Sequence, residues 1–398
     1  MSAVDSTPLH ARFHRSISDI DAAAWNELNT EAHVFVQHTF LRALEQHGAT
    51  TPALGWHPCH LTLEDSSGKL YGALPLYLRN HSFGDFSQDW QWPGAWQEAG
   101  LAYYPKLVSG IPFTPASGPR FLVHTGENRS KIVSALIAAT LHFAKENHCS
   151  VWQCLFTSAD DHQALSDAGL LLRSGNQFHW DNLDWRDFEH FLQAFSSDKR
   201  KKLKRERRRV IEAGITIEVR HGHQITAEQW PIIHRHYRST FARYNNHPAL
   251  NEDFFRDIGH SLSSDGQTGL VIFLARQGRD IIASAICYRD QHTLYGRHWG
   301  SDQGELPDTD HHYHSLHFEL CYYQGIEYCI QHGLKRFEPG AHGEHKLSRG
   351  FAPATTASAY WIADPRMRAM VGNYLQRERE QVSHYQKEMA EHLPYKLA

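Results

Sequence analysis

Cysteine is scarce and unpatterned: six residues in 398, Cys59, Cys149, Cys154, Cys287, Cys321 and Cys329, with no CxxC pair. That spacing excludes a dense disulfide framework and suits reduced thiols in a cytoplasm. Long apolar runs are missing as well. No stretch approaches the roughly 18 residues a spanning helix needs, and the opening MSAVDSTPLHARFHRSISDIDAAAW has no apolar core of a secretion signal. The expectation is a cytoplasmic protein, neither exported nor inserted in a membrane. Nor is there an excess of one charge: 40 Lys and Arg face 44 Asp and Glu, a net charge of -4. A surface that coats nucleic acid or membrane in general is excluded, so any anion must be held by a local patch. The GxSxG elbow, the Walker A loop and the GxGxxG fingerprint are all lacking, which lowers serine hydrolase, P-loop and dinucleotide-binding readings.

What is present suits two globular domains. Hydrophobic residues make up 41% of the chain and aromatics 12%, ample for sizeable cores at this length. Two helices are expected over Ile20 to Gly48, then a hairpin from HPCHLTLED and KLYGALPLYLR around Ser66-Ser67-Gly68. The segment from Ser82 to Trp96 is aromatic and irregular. Strands around Tyr103 to Ile111 and at VWQCLFT enclose a periodic helix from Arg129 to Asn147. After about Trp185 a long helix ending at Gly214 leads into ITIEVRH, two further helices, and the strands LVIFLARQ, DIIASAICYRD and TLYGRHWG. A helix, a short strand, a strand over Ala357 to Ile362 and a charged C-terminal helix close the chain. The two halves share an order of helices, antiparallel meander, helix and strand. This predicts an α+β fold with domains 1–184 and 185–398, each a mostly antiparallel twisted sheet flanked by helices.

The stretch HFELCYYQGIEYCIQHGLKRFEPGAHGEHKLSRGF, His317 to Phe351, concentrates the chemistry. Leu316, Leu320, Tyr323, Ile326 and Ile330 recur at three and four and mark one face of a buried helix capped by Gly333. Leu334 to Glu338 then runs as a strand until Pro339, which has no donor for a ladder. The loop that follows sets Glu344, His345, Lys346 and Arg349 among Gly340, Gly343 and Gly350, and loops at the carboxyl ends of strands are the usual ligand sites of α/β proteins. His345 is the side chain whose ordinary titration range best suits a general base near neutrality. Glu338, on an apolar strand, is the alternative if burial raises its pKa. Glu344, Lys346 and Arg349 are expected to bind substrate, Arg349 in bidentate fashion to phosphate or carboxylate. The bland alternative is a solvated loop whose charges pair with each other or with the C-terminal helix.

Two further anion sites are expected. In PFTPASGPRFL, Ser117, Gly118 and Arg120 lie between a strand and the entrance of a helix, where backbone amides favour anions. In KRKKLKRERRR, Lys199 to Arg209, nine of eleven residues are Lys or Arg. A helix there would present Lys201, Lys204 and Arg208 to a polyanion, a nucleotide or an anionic glycan precursor, or would simply be a solvated face. Asp310, His311, His312, His314, His317 and Glu319 cluster, but no metal-site spacing is present and no metal is expected.

The strings GALPLYLRNHSFGDF, YYPKLVSGIPFTPASGPRF, SSDKRKKLKRERR, the helix-strand-loop stretch above and ASAYWI resemble the bacterial Fem-like family. These are proteins of peptidoglycan biosynthesis or recognition grouped with the GNAT acyltransferase superfamily. The resemblance spans about Phe35 to Ile362 and implies two tandem GNAT-like domains. It implies transfer of an acyl or aminoacyl group to an amine, with a peptidoglycan precursor as an acceptor. The donor would be an aminoacyl-tRNA or an acyl-CoA taken as substrate, with no tightly bound cofactor. A non-catalytic protein recognising a cell-wall precursor or RNA would share every motif. The family pattern has Gln where this chain has His342 and Tyr where it has His298, which removes both from a family-wide role. The pyrophosphate-binding spacing of coenzyme A enzymes is missing after GRHWG.

Overall fold

A computed structural model describes residues 8–243, 245–262, 268–302, 311–341 and 343–396. The chain forms two compact units. One takes residues 1–175 with 355–382, the other 176–354 with 383–398. The division at 184/185 expected from sequence differs in two respects: the first break comes at 175/176, and residues 355–382 return to the first unit. The reason for the return is packing. Tyr360, Ile362, Met367, Val371 and Leu375 are buried with Trp92, Trp96 and Tyr103, Ala359 to Ile362 pair with Val151–Cys154, and Arg173 makes a two-pronged ion pair with Glu378.

The first unit contains the expected hairpin, with Leu61 opposite Leu74, in a small sheet completed by His10–His14 and Leu122–Val123. A second set of strands runs Trp56–Pro58, Tyr77–Arg79, Lys106–Ser109 antiparallel, then Val151–Cys154 parallel to the last. The helix Arg129–Glu146 covers the hairpin, its entrance capped by Asn128.

In the second unit, Ile215–His221, Gly269–Gln277, Asp280–Arg289 and Thr293–Ser301 form the predicted antiparallel meander. Arg336–Glu338 then joins Thr293–Ser301 in parallel. The fold class is the one expected, α+β in two tandem units. The long helix expected up to Gly214 is two helices, Phe188–Gln193 and Ser197–Glu212, because Phe191, Leu192 and Phe195 turn into the core while the basic segment must keep its charges in water. Among the described residues no helix is long and apolar enough to cross a membrane.

Candidate functional site

The parallel pairing of Thr293–Ser301 with Arg336–Glu338 stops at Tyr295 opposite Glu338. Pro339 cannot donate to the ladder and Gly340 turns away at φ 100°, so Arg297 and His298 lie beyond the last parallel pair. Closeness of the two backbones here depends on Gly296, where an added Cβ would stand 3.3 Å from both Phe337 and Pro339. The loop then forms a 3-10 helix, Glu344–Arg349. Its three-residue turn eclipses i and i+3, which sends Lys346 and Arg349 inward while Glu344 and His345 stay exposed.

Lys346 is 1% exposed, and its Nζ donates to the Gly340 carbonyl at 2.7 Å. Burial, with a smaller contribution from the nearby Arg297 guanidinium, lowers its pKa to about 7. Cys321, whose thiol burial keeps protonated, offers no counter-charge near neutrality. Arg297 is itself lowered to about 10 by burial, and Glu338 acts in the opposite direction. Glu338 is 7% exposed, and its Oε1 lies 4.0 Å from Nδ1 of His179. Burial, then Arg336, lowers His179 to about 3, so this contact is not an ion pair at neutral pH. His298 is likewise lowered to about 3, by burial and then Arg297. One neutral-range amine, one guanidinium, one carboxylate and two neutral imidazoles thus belong to one neighbourhood.

The expected helix is there, with Leu316, Leu320, Tyr323 and Ile326 buried, but it contains a wide five-residue turn at Glu319–Tyr323. That turn buries two successive tyrosines. Tyr322 hydroxyl meets His345 Nε2 at 2.7 Å. Tyr323 donates to Glu206 and accepts from Arg349 Nε at 3.1 Å. Wide turns of this kind recur at functional sites.

Arg349 does not present a free fork. Its Nη2 binds both oxygens of Glu206, its Nη1 the His345 carbonyl at 2.7 Å, and its face lies on Phe318. The expectation of bidentate ligand binding is corrected: its donors are taken by Glu206 of the basic helix, by Tyr323 and by the loop itself. Glu344 accepts from Tyr385 of the C-terminal helix at 2.8 Å, as the brace alternative expects. Arg120 is corrected in the same way. It is fully buried in the first unit and donates to the carbonyls of Leu155, Gly118, Pro119 and Ala116. Beside it the Ser117 carbonyl meets His33 Nε2 at 3.0 Å, and a Cβ on Gly118 would strike that ring, so these residues brace a loop.

The basic helix turns Leu203, Glu206 and Val210 inward. Arg207 lies over Phe188 and reaches Glu319 and Glu327, which also takes Glu319 out of the histidine cluster. Lys201, Lys204 and Arg208 are exposed. Lys204 pairs with Glu189 at 2.6 Å and Arg208 with Glu212 at 3.5 Å, whereas Lys201 has no ion-pair partner among the described residues. Asp310 and His342 lie outside the described residues, as do the side chains of His311, His312 and His314. Arg297, His179 and Tyr322 were missed from sequence. A charged residue inside the apolar strand TLYGRHWG was the available signal for Arg297, and nothing local marks the other two.

A family model described as peptidoglycan biosynthesis/recognition, the FemAB-like family, matches residues 16–397. Among solved structures, the chain is similar to the C-terminal domain of a protein from Agrobacterium fabrum whose name gives it as a lysylphosphatidylglycerol synthetase. They share 12% identity over 89% of this chain and 95% of that one, with a TM-score of 0.53. It is also similar to FemX, at 10% identity over 91% of this chain and 100% of that one, with a TM-score of 0.51. These likenesses establish the fold. No curated protein matches the sequence.

Proposed function

We propose that this chain, which belongs to the FemAB-like family of peptidoglycan biosynthesis/recognition, is an N-acyltransferase that forms an amide in its second unit. The observation that carries the reading is Lys346: a buried lysine with one carbonyl partner and a pKa of about 7. Burial thus brings the loss of its proton into the neutral range. A neutral amine can keep its bond to the Gly340 carbonyl and still offer a lone pair.

In this reading Lys346 Nζ takes a proton from the acceptor ammonium. The freed amine attacks the donor carbonyl carbon, forming the C–N bond. The tetrahedral oxyanion then collapses and breaks the ester or thioester bond, and the proton shed by the new amide nitrogen goes to the leaving alkoxide or thiolate. Arg297 faces the developing charge or the donor's phosphates, and Glu338 holds the acceptor ammonium. The exposed His345, hydrogen-bonded to Tyr322, is placed to pass the proton to water. The exposed face of the basic helix, through Lys201, Lys204 and Arg208, contacts a polyanionic donor such as an aminoacyl-tRNA. An acyl-CoA is the alternative donor, and an amine of a peptidoglycan precursor is the acceptor.

The test is amide formation with a panel of aminoacyl-tRNA and acyl-CoA donors and amine acceptors, read by mass spectrometry. Lys346→Met should lower turnover by about a hundredfold or more, the usual range for loss of a general base, with acceptor binding retained. Saturable binding of a precursor with no turnover from any donor would assign the site to recognition instead.

A further inference from the structure

The irregular aromatic segment after Tyr77–Arg79 inverts the ordinary rule of burial. From Asp85 to Trp90 the residues alternate strictly: Asp85, Ser87 and Asp89 are buried, while Phe86, Gln88 and Trp90 are exposed. Phe83 precedes them at 43% exposure, and Phe86 and Trp90 stand at 37% and 70%. Carboxylates point in and aromatic rings point out.

The alternation is imposed from beneath. Lys106, fully buried, donates to Ser82 Oγ, Ser87 Oγ and Asp89 Oδ2 at 2.7, 3.1 and 2.7 Å and pairs with Asp85 at 2.8 Å. Arg79 grips the Phe83 carbonyl at 2.6 Å, and Arg173 those of Ser87 and Gln88. To meet these partners, Phe86 and Gln88 adopt left-handed backbone, φ 59° and 52°, which is costly for residues with a side chain. Such outliers persist where the surroundings over-determine them, and they cluster at ligand-binding positions. Phe86 and Trp90 have no ring partner among the described residues, and Trp90 stands mostly in water.

The exposed strip reads Asn80, Phe83, Phe86, Gln88, Trp90 and Gln91. It carries no charge. Polyanions and anionic bilayers gain nothing from such a surface. A glycan matches it in two respects. The C–H faces of its rings lie flat on aromatic faces, and its hydroxyl and acetamido groups exchange hydrogen bonds with the Gln and Asn amides, which both donate and accept. We propose that this strip is a carbohydrate-binding platform for a neutral polymer of N-acetylated amino sugars, the glycan component that a peptidoglycan-directed family meets. It lies in the first unit and does not depend on the amide-forming reading of the second.

Titration of the full chain with the β-1,4-linked tetramer of N-acetylglucosamine, followed by calorimetry, tests it. Saturable binding is expected in the wild type. Trp90→Ala should weaken it about tenfold or more, as loss of a central aromatic anchor does, with an unchanged melting temperature because that ring is mostly in water. Phe86→Gly, which suits the left-handed backbone, should weaken it as well. Binding should survive Lys346→Met, which separates this platform from the catalytic proposal. No saturable binding by the wild type, or wild-type affinity in both platform variants, overturns it. Flotation with phosphatidylcholine vesicles that Trp90→Ala abolishes would also overturn it and make the strip a membrane face.

Discussion

The molecule buries a lysine beside the parallel strand pair of each unit and treats the two in opposite ways. Lys106, on the strand Lys106–Ser109, has oxygen partners on all sides: Asp85, Asp89, Ser82, Ser87 and Gln153 lie within 3.1 Å. Lys346, in the loop after Arg336–Glu338, has one carbonyl and, among the described residues, no carboxylate in ion-pair range. Burial costs both cations their hydration. In the first unit carboxylates offset that cost and the charge becomes scaffold. In the second a single carbonyl offsets little of it, so the amine's proton is loosely held near neutral pH. Arg120 and Arg349 repeat the scaffold pattern, which is why neither is left for a ligand.

Removing the saturated lysine should have the largest effect. Lys106→Met removes the nearest cation from the buried carboxylates of Asp85 and Asp89, leaving Arg79 at 4.0 Å from Asp85. Loss of one partner of such a cluster costs about 3–5 kcal/mol; chemical denaturation should show it. If the variant were as stable as wild type, the contrast between the two lysines would lose its first half.

Arg349→Met comes next. It leaves Glu206 with Tyr323 alone, for a cost of about 2–4 kcal/mol, and Arg349→Lys should not restore stability because a point charge cannot satisfy the same fork of partners. Preserved stability with lost ligand binding would return Arg349 to the ligand-binding role that its sequence position suggests.

Lys346→Met should act in the opposite direction, and its sign depends on pH. Folded Lys346 sheds its proton near pH 7, whereas an unfolded lysine keeps it to about 10.5. Between those values the unfolded chain binds more protons, so this residue makes wild-type stability rise with pH, by about 1.4 kcal/mol per unit at most. Below pH 7 the wild type carries the whole penalty. The methionine variant should be the more stable protein there, with the advantage shrinking towards pH 10.5. A difference that does not vary with pH would show that Lys346 is not a strained cation.

The smallest effect is expected on the basic helix. Replacing Lys201, Lys204 and Arg208 by Gln should change stability by no more than about 0.5 kcal/mol per site, because the pairs to Glu189 and Glu212 are in water. Polyanion binding should weaken and its dependence on salt flatten. An unchanged salt slope would make the helix a solvated face.

Much of this fold was legible in the chain. Periodicity and punctuation located the hairpin around Gly68, the meander from Gly269 to Ser301, and the strand that Pro339 ends, because those signals are local. The return of residues 355–382 to the first unit was not legible, since it rests on Tyr360 and Val371 meeting tryptophans some 270 residues earlier. The loop's charged residues were legible, but the partners each of them takes were not. Composition placed an acid, an imidazole and two cations within six residues. Which cation is saturated depends on Glu206, 143 residues from Arg349 along the chain, and on the three-residue turn that buries both. Arg297 and His179 join the site by strand pairing, which no local pattern reveals.

The central claim, that Lys346 is a buried amine free to exchange a proton near neutrality, is tested most directly by nuclear magnetic resonance of lysine side chains labelled with 15N and 13C. The Lys346 resonances would be assigned by their loss in Lys346→Met and followed from pH 5 to 11. A titration midpoint near 7 is the predicted result. A midpoint at 10 or above would mean that the lysine is fully charged at neutral pH, and it could not serve as the base proposed for it.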